Sequence, residues 1–327
     1  MSDRVVTPAT HVPGPREAIA WIDVQHHFFP PVYTAAQGDR VAALSPVSLG
    51  VLDWTPGQAL AALDAADALA VLSIATPATL GLGRDEARLV ARQTNEYAAA
   101  LRADHPTRFG FLALLPMPDI DGTLQELGYA LDVLGADGVG FLTSYGDRWI
   151  GDAAFGDVFA ELDRRRAVAF VHPTAPPRCQ GLMPGVPDPI LEFGFDTVRA
   201  GTSLLLGGAL DHYPHIRWIL THGGAGLPLI HERLAWMYRP PDGQPGTAPA
   251  EALRRLYLDT VTVANPIAYE PARRLVSPDH LLFASDYPYG DVAHAAASFA
   301  DLELAPDELR AVARDNALRL FPRLAVL

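Results

Sequence analysis

Eight short apolar runs, each rich in β-branched or aromatic residues, alternate along this chain with longer segments of helical periodicity. They are Ala18–Val24 (AIAWIDV), Leu69–Ala75 (LAVLSIA), Arg108–Leu115 (RFGFLALL), Gly138–Thr143 (GVGFLT), Ala167–Val171 (AVAFV), Ile216–Thr221 (IRWILT), Leu256–Thr260 (LYLDT) and Leu281–Ser285 (LLFAS). Runs of this kind mark strands buried on both faces, as in a parallel sheet covered by helices. Eight repeats within 327 residues predict an α/β fold, a closed (β/α)₈ TIM-like barrel, in preference to an open doubly wound sheet. No GxGxxG follows the first run, which counts against the dinucleotide-binding form of that alternative.

The helical segments carry ordinary start signals. Thr55-Pro56 precedes a helix running to about Asp67, with Thr as the cap and Pro in the first turn. Leu124, Leu127, Leu131 and Leu134 recur at helical spacing and give one apolar face. Residues 1–17 hold three prolines in the first sixteen positions and little apolar pattern, so they are expected to form an N-terminal tail or arm, with one barrel domain over 18–327. Pro173 to Gly194 holds six prolines and reads as a long irregular insertion after the fifth strand. Loops of that length usually have a job, here to lid a site or meet a second subunit.

Composition removes several chemistries. The 25 Lys+Arg residues are all arginine, so a Schiff-base lysine, a Walker-A lysine and a carbamylated lysine bridging two metals are excluded. With 38 Asp+Glu and a net charge of −13, the chain offers no basic footprint for nucleic acid or an anionic membrane. One cysteine, Cys179, cannot form an internal disulfide, and the N-terminus has no apolar signal region. A cytoplasmic protein is expected.

In a barrel of this kind reacting groups gather where strands end. The first run ends in Asp23-Val24-Gln25-His26-His27, the fifth in His172-Pro173, the sixth in His222-Gly223-Gly224 and the eighth in Asp286-Tyr287-Pro288. Each alone has a plain structural explanation: a hydrogen-bonded histidine, a helix cap at Asp286, a tight turn at His222. Together, imidazoles and a carboxylate at one rim suit a single divalent ion with a position left open for substrate. Strand alternation sets His26 opposite to Gln25 and His27, as a packing residue.

These motifs, with WTPGQAL, NEYAAAL, TSYGDRWIGD, FVHPTAPP, LEFGFDTVRAG, LTHGGAGLP and LFASDYPYG in order from about Ala20 to Leu320, resemble the amidohydrolase-related, metal-dependent decarboxylases. That superfamily includes aminocarboxymuconate-semialdehyde and hydroxybenzoate decarboxylases. LEFGFDTVRAG and TSYGDRW are most similar to the branch with 6-methylsalicylate decarboxylases. The resemblance implies an amidohydrolase-type barrel and metal ligands at His27, His172 and Asp286, with His222 beside the metal. Gln25 is the departure: relatives carry His or Glu there, whereas glutamine offers a neutral, weaker donor. Gln25 is then a weak ligand, or the site binds metal weakly, or metal chemistry has been given up.

The implied reaction is non-oxidative decarboxylation of a small aromatic (salicylate-like) or enoic acid, with one divalent ion, zinc first and manganese second. Asp286 is the expected proton donor and His222 its partner. Arg148 and Arg199 are candidate anion-binding groups, and Tyr145 and Phe28, with Phe29, Trp54 and Phe195, candidate pocket walls, against the plainer reading of each as surface or core. Two alternatives stand beside this: a metal-dependent hydrolase of a lactone, amide or enol ester, and a metal-poor relative that binds or rearranges a biosynthetic intermediate. By analogy with relatives, a homodimer is expected.

Overall fold

The computed structural model describes residues 21–44, 48–238 and 247–326. The predicted tail over 1–17 and the opening Ala18–Ala20 of the first run lie outside the described residues. Eight parallel strands follow in sheet order: β1 (Trp21–His27), β2 (Ala68–Ser73), β3 (Phe109–Leu114), β4 (Gly138–Leu142), β5 (Val168–His172), β6 (Arg217–Leu220), β7 (Tyr257–Asp259) and β8 (Leu281–Leu282). Each coincides with one of the eight apolar runs.

The sheet's two ends meet. Val24 N–H donates to the Phe283 carbonyl at 3.1 Å, Asp286 N–H to the Gln25 carbonyl at 3.0 Å and His27 N–H to the Tyr287 carbonyl at 2.6 Å. Asp23 ties the same seam, accepting from Ser285 N–H at 3.0 Å and from Ser285 Oγ at 2.5 Å. The backbone that carries Gln25 and His27 is therefore fixed directly to the backbone that carries Asp286.

One apolar cluster joins Ile22, Val24, Val71, Phe170 and Ile219 of the strands to Leu320 and Phe321 near the C-terminus. Each such side chain, fully buried, contributes roughly 1.5–3 kcal/mol. A second cluster lies between strands and outer helices; Leu127 is fully buried in it, with Leu124, Leu131 and Leu134 packed partly against it. Leu134 lies past the end of the helix Ile120–Asp132. Thr55 caps the helix Pro56–Ala66 as expected, its Oγ1 accepting from Gln58 N–H at 3.2 Å.

Two details differ from the sequence reading. The insertion is irregular only as far as Pro187, because a helix, Asp188–Leu206, begins there. Pro189 falls in its first turn, where the missing N–H breaks no helical bond. The antiparallel pair Ser144–Tyr145 and Arg148–Trp149 was not anticipated, since two-residue strands leave no periodic signal. Among the described residues, no helix is long and apolar enough to cross a membrane.

Candidate active site

The ends of β1, β5 and β8 bring His27, His172 and Asp286 together, one ligand atom of each lying within 4.8 Å of the others. The outer nitrogens of both imidazoles are already committed. His172 Nδ1 donates to the Pro173 carbonyl at 2.8 Å. His27 Nδ1 faces the Ser73 carbonyl at 3.3 Å and Ser73 Oγ at 3.0 Å. The Pro173 carbonyl only accepts, so a neutral His172 carries its proton on Nδ1 and turns its Nε2 lone pair to the cluster. His27 Nε2 lies 3.0 Å from Asp286 Oδ1 and donates to it while no cation is bound; a cation in the cluster would move that proton to Nδ1, beside the Ser73 carbonyl. Outer bonds of this type orient metal-binding histidines.

Burial, and then the neighbouring His27, push His172 well below its usual pKa, which keeps it a neutral donor. For Asp286 burial acts upward, but hydrogen bonds and charge from His222 and His27 outweigh it and hold the carboxylate far below the ordinary range. His222 moves the other way: burial lowers it, and the stronger pull of Asp286, whose Oδ2 lies 3.7 Å from His222 Nε2, raises it.

His222 and Asp286 both adopt left-handed backbone, with φ of 54° and 62°, which costs a non-glycine residue on the order of 1–3 kcal/mol and is typical of functional turns. Gly223 makes the first of these turns feasible. Its φ is 62°, and a Cβ there would lie 2.3 Å from Val263 Cγ1. Below the turn, buried Asp259 accepts from Gly223 N–H at 3.4 Å and Val261 N–H at 3.2 Å. Burial raises its carboxyl to about 7.

Gln25 lies in the same group. Its Nε2 donates to Asp286 Oδ1 at 2.6 Å and stands 3.4 Å from both His27 Nε2 and His222 Nε2. Its Oε1 is buried without a hydrogen-bond partner. A half-turn of the amide exchanges these two atoms and aims the carbonyl oxygen at the imidazoles. The site thus brings together two imidazole Nε2 atoms, a carboxylate and an orphaned amide oxygen, a set that fits one divalent cation.

A cavity of about 630 Å³ opens from this cluster, lined by His172, His222 and Asp286 and also by Thr76, Thr262 and Tyr289. Arg148, Arg199, Tyr145 and Phe28, expected to bind substrate, are not among the described lining residues of this cavity. Arg148 is exposed beside a separate hollow that also touches Tyr145. The Tyr145 hydroxyl accepts from Leu142 N–H at 2.8 Å, a structural bond. Arg199 leans on Glu192 and Asp196 of its own helix, at 3.8 and 3.6 Å. Phe28 is buried against Trp54, and Phe195 is exposed. None of these side chains, Trp54 and Phe195 included, is among the described lining residues of the cavity. His26, as expected, packs: it stacks on Tyr287 and its Nδ1 meets Asp23 at 2.9 Å. Sequence reasoning passed over Ser73, Thr76, Thr262 and Asp259, although all four lie at or just beyond the ends of recognised runs.

The amidohydrolase family profile matches residues 22–323. The chain belongs to that family. Among its relatives, 6-methylsalicylic acid decarboxylase from Penicillium expansum is 35% identical over 323 residues, 94% of this chain and 97% of that protein. A protein named decarboxylase yanB from Aspergillus niger is 34% identical, across 92% of this chain and 87% of its own. In structure, this amidohydrolase superposes on a dihydroxybenzoic acid decarboxylase from Polaromonas, solved with manganese and 2-nitroresorcinol, with a TM-score of 0.80 over 93% of this chain and 97% of that one at 23% identity. That likeness places the fold.

Proposed function

We propose that this amidohydrolase is a metal-dependent, non-oxidative decarboxylase of aromatic acids of the salicylate type. The observation that carries the reading is the cluster of His27, His172 and Asp286, whose ligand atoms lie within 4.8 Å of one another while Nδ1 of both imidazoles is held by backbone carbonyls, a set that fits one divalent cation. His27, His172 and Asp286 would hold it, with Gln25 Oε1 as a neutral fourth donor. A divalent ion bound there would grip the substrate carboxylate and its neighbouring phenolic oxygen and draw off negative charge.

The chain's own groups then handle one proton. It is added at the ring carbon bearing the carboxylate; the bond to the carboxyl carbon breaks, its electron pair returns to the ring, and CO2 leaves. His222, raised by the Asp286 carboxylate 3.7 Å away, stores this proton, and the His222–Asp286 pair presents it to the substrate. The Thr76 and Thr262 hydroxyls line the same cavity and can orient a ring hydroxyl. Thr76 Oγ1 also donates to Thr174 at 2.9 Å, which limits its freedom.

On this reading each chain holds one ion, zinc by the imidazole share of the donor set or manganese as in the Polaromonas relative, and the enzyme works as a homodimer in the cytoplasm. Incubating purified protein with salicylate, 6-methylsalicylate and 2,6-dihydroxybenzoate, with headspace CO2 and the phenol both quantified, tests the reaction. Equal molar amounts of the two are expected; consumption of an ester or lactone without CO2 would instead make the chain a hydrolase. Gln25→Glu and Gln25→His test the fourth ligand. Either change raises metal occupancy if Gln25 is a ligand and leaves it unchanged if it is not.

A further inference from the structure

The cavity is roomier and more apolar than a single small ring requires. At about 630 Å³ it falls within the range of roughly 300–1,000 Å³ typical of drug-sized ligands. It touches both His172, 4% exposed, and Ile190, 72% exposed, so it runs from the ligand cluster to the surface. The outer wall is hydrocarbon: Leu44, Pro187, Pro189, Ile190 and Phe193. No arginine is found among the described lining residues, and the chain has no lysine. Among the described residues, the outer part therefore presents no cation that would favour a second acid group.

Width is kept by small side chains. Gly194 and Ala225 both line the cavity, and a Cβ on Gly194 would rest 3.8 Å from the Ala225 Cβ, an ordinary contact. Nothing in the backbone requires glycine at that point, since Gly194 lies within the helix Asp188–Leu206 and is not among the positive-φ glycines. The prolines at the start of this helix make the wall stiff, so the space is largely pre-formed.

We infer that the substrate is a salicylate-type acid carrying an extended, uncharged hydrocarbon substituent, an alkyl chain of several carbons, laid along Pro189, Ile190, Phe193 and Leu44 toward the surface. This inference rests on the decarboxylase reading and narrows its substrate class. The carboxylate end is set by the ligand cluster, and the chain end is chosen by area buried.

A series of 6-alkylsalicylates with methyl, propyl, pentyl and heptyl chains tests it, using metal-loaded protein and kcat/KM from CO2 release. The expected result is a rise of about threefold to fourfold per methylene buried, ending where the chain reaches solvent. Gly194→Leu, which introduces a better helix former, should cut the pentyl-to-methyl ratio of kcat/KM at least tenfold. Ile190→Ser, at an exposed position that does not threaten folding, should lower the same ratio by severalfold. Turnover of the methyl compound with flat or falling kcat/KM for longer chains would overturn the chain-length inference and leave the decarboxylase reading standing. CO2 from no member of the series would overturn both.

Discussion

Two carboxylates near the C-terminal rim of the barrel, the buried Asp196 and the partly exposed Asp286, have opposite surroundings. Asp196 accepts from Thr143 Oγ1 at 2.5 Å, Ser144 Oγ at 3.0 Å and Trp149 Nε1 at 2.7 Å, with Arg199 at 3.6 Å. Its lone pairs meet hydroxyl, indole and guanidinium donors, and it locks the short hairpin to the helix behind it. Asp286 meets imidazoles whose Nδ1 atoms are spent elsewhere and an amide whose oxygen has no partner. The first is complete within the chain; the second is the one that, on the proposed function, a cation would complete. Partner chemistry, more than burial or charge, separates a structural carboxylate from a reactive one.

The sharpest way to break that contrast is to alter the ligands. His172→Ala or Asp286→Asn should remove bound metal and lower CO2 release by more than about a hundredfold, beyond what losing an outer partner costs, as read by metal analysis and kinetics. Normal metal content in both variants would remove the distinction. Asp196→Ala should do the reverse, lowering unfolding stability by on the order of 3 kcal/mol through lost charge-assisted bonds while each folded chain keeps its metal. Chemical denaturation and metal analysis on one sample report both.

Asp259 sharpens the comparison by standing between the two. Its Oδ2 has no partner, and its carboxyl titrates near 7 in the fold against an ordinary value of 3.8. The folded chain thus keeps a proton that the unfolded chain releases, and stability falls as pH rises through that window. Asp259→Asn cannot lose the proton. Its unfolding free energy should exceed that of the parent by nothing near pH 4 and by up to a few kcal/mol above pH 7, measured by denaturation at each pH. The smallest expected effect is Ser73→Ala, about tenfold weaker metal binding from loss of one bond to His27 Nδ1, seen by titration of the metal-free protein.

Most of the barrel could be read from the chain because strands buried on both faces leave uninterrupted apolar runs, and all eight appear. The candidate ligand positions were readable for a related reason: topology alone places residues that follow those runs on one rim. The pocket walls were not. Whether Arg199 or Phe193 faces the cavity depends on the phase of a helix whose start lay inside a proline-rich stretch, and Asp188 rather than Gly194 proved to be its first turn. Ser73 and Asp259 escaped notice because a serine or aspartate at a strand end has no sequence signature until its backbone partners are known. Gln25 was visible as a departure, but only the orphaned Oε1 gives that departure a physical meaning.

The most direct measurement is CO2 release from 6-methylsalicylate by one preparation in three states: as purified, after exhaustive chelation, and after return of a single equivalent of manganese or zinc. Decarboxylation at the His27, His172 and Asp286 cluster predicts activity that disappears on chelation and returns at one ion per chain. Undiminished CO2 release from the metal-stripped protein would contradict it.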